Sequence, residues 1–452
     1  MRYRYRSDDE LKDSGVEWLG KIPKDWEVKR NRHIIDFRRR EVNEYEDTTV
    51  LSLTINGVKV KKDLNFGKST ESYIGHQLVY PGDIVFTPRD FDQTPILSGV
   101  SDYYGCISNL YFVLKCKSDI NNYFVDYFWW GLKYKIDFFK NFSYGIRYGY
   151  NYDQFKDLLF LKPNYIEQEK IANFLDEKTS QFDLIISKKE KLIERLEEAK
   201  KSLISEVVTG KVKVVKTDDG YELVKRSSEE MKDSGVEWLG QIPNDWEVKY
   251  FKHMFNFKKG LSITKADLKE SGIPCVNYGE IHSKYRFELN PSKQNLKYVD
   301  EEYLTTGTSS LLEYGDFIFC DTSEDLNGCG NFTYLNEYSK VFAGYHTIIA
   351  RGNKEINYRY IAYLFESDDW RYQIRSKVSG IKVFSITQSI LKTTTVIQPS
   401  LIEQKDISDY LDIKCNGIKD AINKTKLQIE KLKEAKQSLI SEAVTGKIEI
   451  LD

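Results

Sequence analysis

Two segments of this chain are written twice. Leu11–Arg30 reads LKDSGVEWLGKIPKDWEVKR and Met231–Tyr250 reads MKDSGVEWLGQIPNDWEVKY, identical at 16 of 20 positions. Arg195–Val214 (RLEEAKKSLISEVVTGKVKV) and Lys431–Ile450 (KLKEAKQSLISEAVTGKIEI) agree at 13 of 20. The long stretches between them hardly resemble each other. A chain that keeps its frame duplicated and lets its inserts differ is built to present two different surfaces from one scaffold.

The spacing locates the divergence. The opening segments lie 220 residues apart and the later segments 236, so the second insert is longer by 16 residues. Pro163-Asn164-Tyr165-Ile166-Glu167-Gln168 matches Pro399-Ser400-Leu401-Ile402-Glu403-Gln404, and no gap is needed from there to the two VTGK ends. Each repeat therefore has an opening segment, an insert of ~130–150 residues, which is a normal domain size, and a long helical run.

The helical reading rests on period. Phe182, Ile186, Lys189, Ile193, Leu196, Lys200, Leu203 and Val207 recur at alternating four- and three-residue steps. Ile418, Ile422, Thr425, Ile429, Leu432, Lys436, Leu439 and Ala443 occupy the equivalent places. This is a heptad seam. It predicts a helix from about Ile166 to Val208, ~60 Å long at 1.5 Å per residue, and an equal one in the second repeat. A narrow apolar stripe on a long polar helix needs a partner, and its own copy is the cheapest one. A proline suits the start of each run, where its missing N–H is not needed.

After the first run, Lys211–Val215 and Tyr221–Val224 flank Asp218-Asp219-Gly220, which predicts a β-hairpin. The chain's end, Lys447-Ile448-Glu449-Ile450, copies the first arm only. Its start, Arg6–Glu10, resembles Arg226–Glu230, just past the second arm. Together the termini approximate the middle of the chain, which predicts that they lie close together in a nearly closed, pseudo-two-fold object.

The inserts read as mixed and strand-rich, with abundant tyrosine and phenylalanine. Weak echoes join them. Pro81-Gly82-Asp83-Ile84-Val85-Phe86 resembles Tyr314-Gly315-Asp316-Phe317-Ile318-Phe319, a turn and a buried strand. Ile120-Asn121 with Tyr127 matches Ile356-Asn357 with Tyr363, a predicted helix. Gly145-Ile146-Arg147 matches Gly380-Ile381-Lys382. Basic and aromatic residues interleave near these turns, including Arg38, Arg39 and Arg40 in the first insert and Lys258 and Lys259 in the second. Such clusters suit phosphates and base edges; a solvated basic face is the plainer alternative.

Catalytic signatures are missing from the sequence. It has no Walker-type glycine loop, no GxSxG, no metal-spaced His/Cys group and no Asn-Pro-Pro-aromatic motif. Gly328-Cys329-Gly330 follows no βαβ pattern and reads as a loop. The six cysteines show no CxxC pair and read as reduced thiols of a cytoplasmic protein. No signal peptide or membrane span is apparent. A net charge of -2 neither announces nor excludes a nucleic-acid partner.

Taken together, GVEWLGKIPKDWEV opening a variable domain, PNYIEQEK closing it, and a long helix ending LISEVVTGK, all repeated, resemble the specificity subunit of type I restriction-modification systems. The resemblance covers essentially the whole chain, and the repeated frame carries it. It implies an α+β architecture in which two target recognition domains are held apart by two long helices in an antiparallel coiled coil. The expected boundaries are 1–162 for the first recognition domain with its opening segment, 163–210 for the first helix, and 211–230 for the hairpin and linker. The second recognition domain spans 231–398, and 399–452 forms the second helix and the C-terminal strand.

The resemblance further implies that each domain reads one half of a bipartite, gapped double-stranded DNA target and that the chain itself is not an enzyme. Its implied partners are two methyltransferase and two restriction/translocase subunits, with no membrane. No cofactor is expected on this chain; S-adenosylmethionine, ATP and Mg²⁺ belong to the partner subunits. Candidate DNA-binding residues are Arg89, Arg147 and Tyr148 in the first domain, and Lys259, His346 and Lys382 in the second. Arginine suits guanine, where it can bond two acceptors at once. Trp18, Trp26, Trp238 and Trp246 are expected to anchor the domains to the helices. Ile186, Ile193, Leu196, Leu203, Ile422, Ile429, Leu432 and Leu439 are expected in the seam. The competing readings are a duplicated coiled-coil adaptor that binds proteins, and a self-contained DNA methyltransferase or nuclease.

Overall fold

Both periodic runs form single helices. The computed structural model describes residues 2–36, 41–62, 72–145, 147–353, 355–380 and 382–451. The arginine run Arg38–Arg40 lies outside the described residues. Four helices matter here: α1 (Asn122–Ile136), α2 (Tyr165–Val208), α3 (Tyr358–Glu366) and α4 (Leu401–Val444). α2 and α4 are each 44 residues long, or about 66 Å at 1.5 Å per residue.

The chain divides into two compact units, Met1–Lys191 with Thr425–Asp452, and Leu192–Lys424. Each unit therefore holds one insert, the start of one long helix and the end of the other. In the first unit the helices run antiparallel: Lys436 Nζ donates to Asp183 at 2.7 Å, and Lys189 Nζ to Gln428 Oε1 at 2.7 Å. Advancing along α2 means receding along α4. Ile186 and Ile429 are buried in this seam. In the second unit Ile422 is buried too. Ile193, Leu196, Leu203, Leu432 and Leu439 are half-buried, as a two-helix seam allows.

The first unit is built on a four-stranded antiparallel sheet, in the order Ser98–Val100, Ile84–Phe86, Phe112–Cys116, Ile35–Asp36. α1 packs on it through Phe124, Val125, Phe128 and Trp129, all buried. The same core takes in Ile440, Ala443 and Val444 from the end of α4. The second unit carries a five-stranded sheet in the order Phe255–Lys259, Thr347–Gly352, Phe317–Cys320, Phe332–Leu335, Phe287–Leu289. α3 lies against it, and its core takes in Ile204, Val207 and Val208 from the end of α2.

The turn before each central strand is the one the sequence echo predicts. Asp83 accepts from the Tyr80 N–H at 2.9 Å, and Asp316 from the Glu313 N–H at 2.8 Å. Gly82 and Gly315 supply the positive φ (90° and 86°) that the turn requires.

The frame repeats contact for contact. Trp26 Nε1 donates to Glu167 at 2.9 Å, and Trp246 Nε1 to Glu403 at 2.8 Å. Arg6 and Arg226 donate to the other oxygen of the same two carboxylates. Gly446, at φ 72°, sits so close to Pro23 and Trp26 that any side chain would collide, and Gly210 sits likewise on Pro243 and Trp246. This explains why VTGK and IP-x-DW both survive duplication: each helix end must seat on a matching surface. Trp18 packs instead on Phe138 and Phe142, with ring centroids 4.6 and 6.4 Å away.

The termini copy the hairpin. Val212–Thr217 pairs with Gly220–Lys225, with Val212 opposite Lys225 and Val215 opposite Glu222. Arg2–Tyr5 pairs with Ile448–Leu451, with Ile448 opposite Tyr5 and Leu451 opposite Arg2. Allowing for the two repeat offsets, these are the same partners. A circular permutant that joins the termini and opens the chain between Asp219 and Gly220 is therefore expected to be soluble and to give the parent circular dichroism spectrum. Insoluble protein would contradict the closure.

Candidate nucleic-acid interface

In both units the segment leaving the central strand meets the Gly-Ile-basic turn. In the first unit Ile84–Phe86 runs into Thr87-Pro88-Arg89-Asp90. Pro88 O accepts from the Tyr150 N–H, and Arg147 O from the Asp90 N–H, each at 2.8 Å. Tyr144 and Gly149 exchange backbone bonds of 3.0 Å in both directions. A side chain at Gly149 would press on Pro88 O at 2.9 Å. Asp90 (φ 61°) and Tyr148 (φ 43°) both hold the left-handed conformation that non-glycine residues rarely adopt, a form of strain that accumulates at functional loops.

This cluster brings Arg89, Arg147 and Tyr148 together. Arg147 Nε and Nη2 donate to the two Asp90 oxygens at 2.8 and 2.5 Å. That bond raises the guanidinium's pKa above its ordinary value. The Arg147 side chain is nonetheless 66% exposed. A guanidinium has five N–H groups in one plane, and Asp90 engages Nε and Nη2, which leaves Nη1 outside that pair. Tyr148 is exposed beside it and Arg89 is half-buried.

In the second unit Phe317–Cys320 runs into Asp321-Thr322-Ser323. Thr322–Ser323 pairs with Phe384–Ser385, just past Lys382. His346 (φ 57°) places Nδ1 3.0 Å from Asp321 Oδ1 and its ring 5.2 Å from that of Tyr278. These residues edge a cleft of about 680 Å³ that Tyr278, His282, Arg286, Asp325, Asn331 and His346 help line. Val383, next to the exposed Lys382, lines it too. Lys259 is exposed at the end of its strand, opposite Ile348, and does not line the cleft.

Side-chain bonds tie the cleft floor together. His282 Nε2 contacts Thr322 O at 2.9 Å, and Asn331 Nδ2 contacts His282 Nδ1 at 2.8 Å. Asn331 Oδ1 in turn accepts from Arg371 Nη1 at 2.8 Å. Arg371 is buried, bonds Phe365 O and Glu366, and has its pKa lowered by burial. Gly328 and Gly330 let this loop fold in, the first hard against Ser323 and the second at φ 88°.

Sequence reasoning missed Asp90, Asp321, Tyr278, His282 and Asn331. For the cleft residues Tyr278, His282 and Asn331 the glycines flanking Cys329 were the available signal. Among the described residues no group of His, Cys, Asp and Glu is arranged to hold a metal, and no helix is long and apolar enough to cross a membrane.

Two divergent loop clusters on a duplicated frame give the two units different surfaces. Comparison with known proteins shows what such a chain is similar to. Residues 243–431 match the model of the type I restriction modification DNA specificity domain. The chain is 23% identical over 443 residues to the type I restriction enzyme MjaVIII specificity subunit of Methanocaldococcus jannaschii, covering 95% of this chain and 94% of that one. It is 24% identical over 464 residues to the putative MjaX specificity subunit of the same organism, covering 96% of each.

Among solved structures, one described as the structural basis of complex assembly and conformational transition of the type I R-M system shares the fold. It has a TM-score of 0.66 at 13% identity, over 94% of this chain and 99% of that one. The HsdS subunit of Thermoanaerobacter tengcongensis gives 0.50 at 14% identity, over 94% and 98%. Over nearly its whole length the chain is similar to specificity subunits of type I restriction-modification systems, and residues 243–431 match their DNA specificity domain.

Proposed function

We propose that this subunit reads a bipartite, gapped DNA target, one half with each insert, and catalyses nothing itself. The observation that carries this reading is the position of the two loop clusters. Each follows the central strand and meets the Gly-Ile-basic turn, yet one presents an Asp-braced arginine and the other a His–Asp pair over a polar cleft. Equal places with unequal chemistry suit two different half-sites. α2 and α4 act as the ruler, since half-sites about one turn of DNA (~34 Å) apart are the usual spacing for two linked readers. Added helical turns would then change the gap and leave the half-sites as they are.

In this reading the exposed faces of the frame recruit two methyltransferase and two restriction subunits. Those partners supply S-adenosylmethionine, ATP and Mg²⁺ chemistry, along with much of the phosphate contact that a chain of charge -2 lacks. The assembled complex tests the first half-site. Arg147→Ala is expected to lower discrimination at one base pair by ~1–3 kcal/mol, read as methylation rate on a panel of single-base target variants. Uniform weakening across the panel would make Arg147 a phosphate contact and remove it from the readout.

A further inference from the structure

The divergent inserts keep one matched corner beside the long helices. Asn121 caps α1 and gives its backbone N–H to Gln168 Oε1; Asn357 caps α3 and gives its own to Gln404 Oε1, each at 2.9 Å. This fixes the register. Tyr123 stands where Arg359 stands, Tyr127 where Tyr363 stands, and Asp176 where Asp412 stands.

In the second unit the corner is filled. Arg359 bonds Asp412 Oδ1 through Nε and Nη2, both at 2.8 Å, and reaches Glu288 and the Tyr334 hydroxyl through Nη1. Its guanidinium lies 4.9 Å over Phe287 and 5.7 Å over Tyr363. Tyr363 OH donates to Asp412 at 2.6 Å.

In the first unit the same floor stands open. Tyr127 OH donates to Asp176 at 2.7 Å, as Tyr363 does to Asp412. The residue above is Tyr123, which brings no charge. A cleft of about 330 Å³ remains there, lined by Tyr123, Asp126, Tyr127, Trp130, Tyr134 and Asp176 among others. Asp176 is exposed. Asp126 accepts from Ser98 Oγ at 2.5 Å, and burial, together with the Asp176 charge, pushes its carboxyl up to about 7. Lys436 also lines the cleft, but its ammonium is held by both oxygens of Asp183 at 2.7 Å. Among the described residues no side-chain cation pairs with Asp126 or Asp176. Two carboxylates and four aromatic rings thus converge on elements whose counterparts bind a guanidinium.

We propose that this cleft docks an arginine side chain carried by a partner protein, which takes from outside the place that Arg359 takes from within. Guanidinium fits better than ammonium because it is planar, bonds carboxylates through a fork and stacks on aromatic faces. A protein-borne arginine fits better than the free amino acid because the one cation of the lining is already engaged, leaving nothing to hold an α-carboxylate. The inference stands whether or not the chain reads DNA.

Isothermal titration of the full chain with agmatine and with a blocked Gly-Arg-Gly tripeptide tests it. Both are expected to bind, and Asp176→Asn, at an exposed position, is expected to weaken each at least tenfold. Tyr123→Arg, which supplies the guanidinium from α1 itself, is expected to abolish both. Absence of agmatine binding, or affinity that Asp176→Asn leaves unchanged, would overturn the site. Binding of agmatine with exclusion of the tripeptide would overturn the protein-borne source.

Discussion

Replacing Arg30–Leu161 with the corresponding insert of another family member is expected to change one half of the methylated sequence and leave the other half and the gap unchanged. The structure gives the reason. The exchanged segment contains the whole four-stranded sheet, α1 and the Arg89–Arg147–Tyr148 cluster. The frame's own contacts lie outside the exchange, Trp26 on Glu167 and Gly446 on Pro23, and the insert meets the frame at the Asn121–Gln168 bond that the second unit repeats as Asn357–Gln404. Leu159–Lys162 pairs with Glu27–Arg30, so the two ends of the insert leave the frame side by side. A new insert can therefore enter without disturbing the second unit. Genome-wide sequencing of methylated adenines reads the outcome, and changes in both halves would contradict modular reading.

Loss of Trp26 is expected to cost the first unit ~3–5 kcal/mol, the usual range for emptying a fully buried large aromatic site. The indole is 0% exposed. Its ring underlies the Arg6 guanidinium at 5.9 Å and meets the chain at Gly446, while its N–H satisfies Glu167. Trp26→Ala opens a cavity and leaves that carboxylate one donor short in a half-buried setting, which adds to the penalty. Trp26→Phe refills most of the space but still drops the hydrogen bond, so its cost should be smaller. Denaturant titration followed by hydrogen exchange in residues 2–191 measures both. A loss below ~1 kcal/mol for Trp26→Ala would mean that the frame is held elsewhere.

The sequence made the scaffold legible because its rules are local or periodic. A heptad seam specifies a helix and demands a partner, and the observed Tyr165–Val208 and Leu401–Val444 follow the runs from their prolines to their VTGK ends. The turn residues Gly82–Asp83 and Gly315–Asp316 announced the central strands in the same way. Periodicity could not say which domain each helix end would serve. Val444 belongs to the first core and Val208 to the second, a choice made by long-range packing on Pro23 and Pro243.

The site was harder to read. Arg147 and the Gly-Ile-Lys turn could be singled out because the repeats placed them in register. Asp90 and Asp321 could not, since each lies far along the chain from the group it braces: 57 residues from Arg147, and 25 residues from His346. The two inserts do not share a loop length there. Arg359 likewise gains its meaning only when Asp412 is seen beneath it.

Methylome mapping of the host, with this chain present and with it deleted, tests the central claim most directly. Two unlike domains on a duplicated frame predict one asymmetric, gapped motif, methylated when the chain is present and unmethylated when it is deleted. A palindromic motif, or methylation that persists without the chain, would contradict the account.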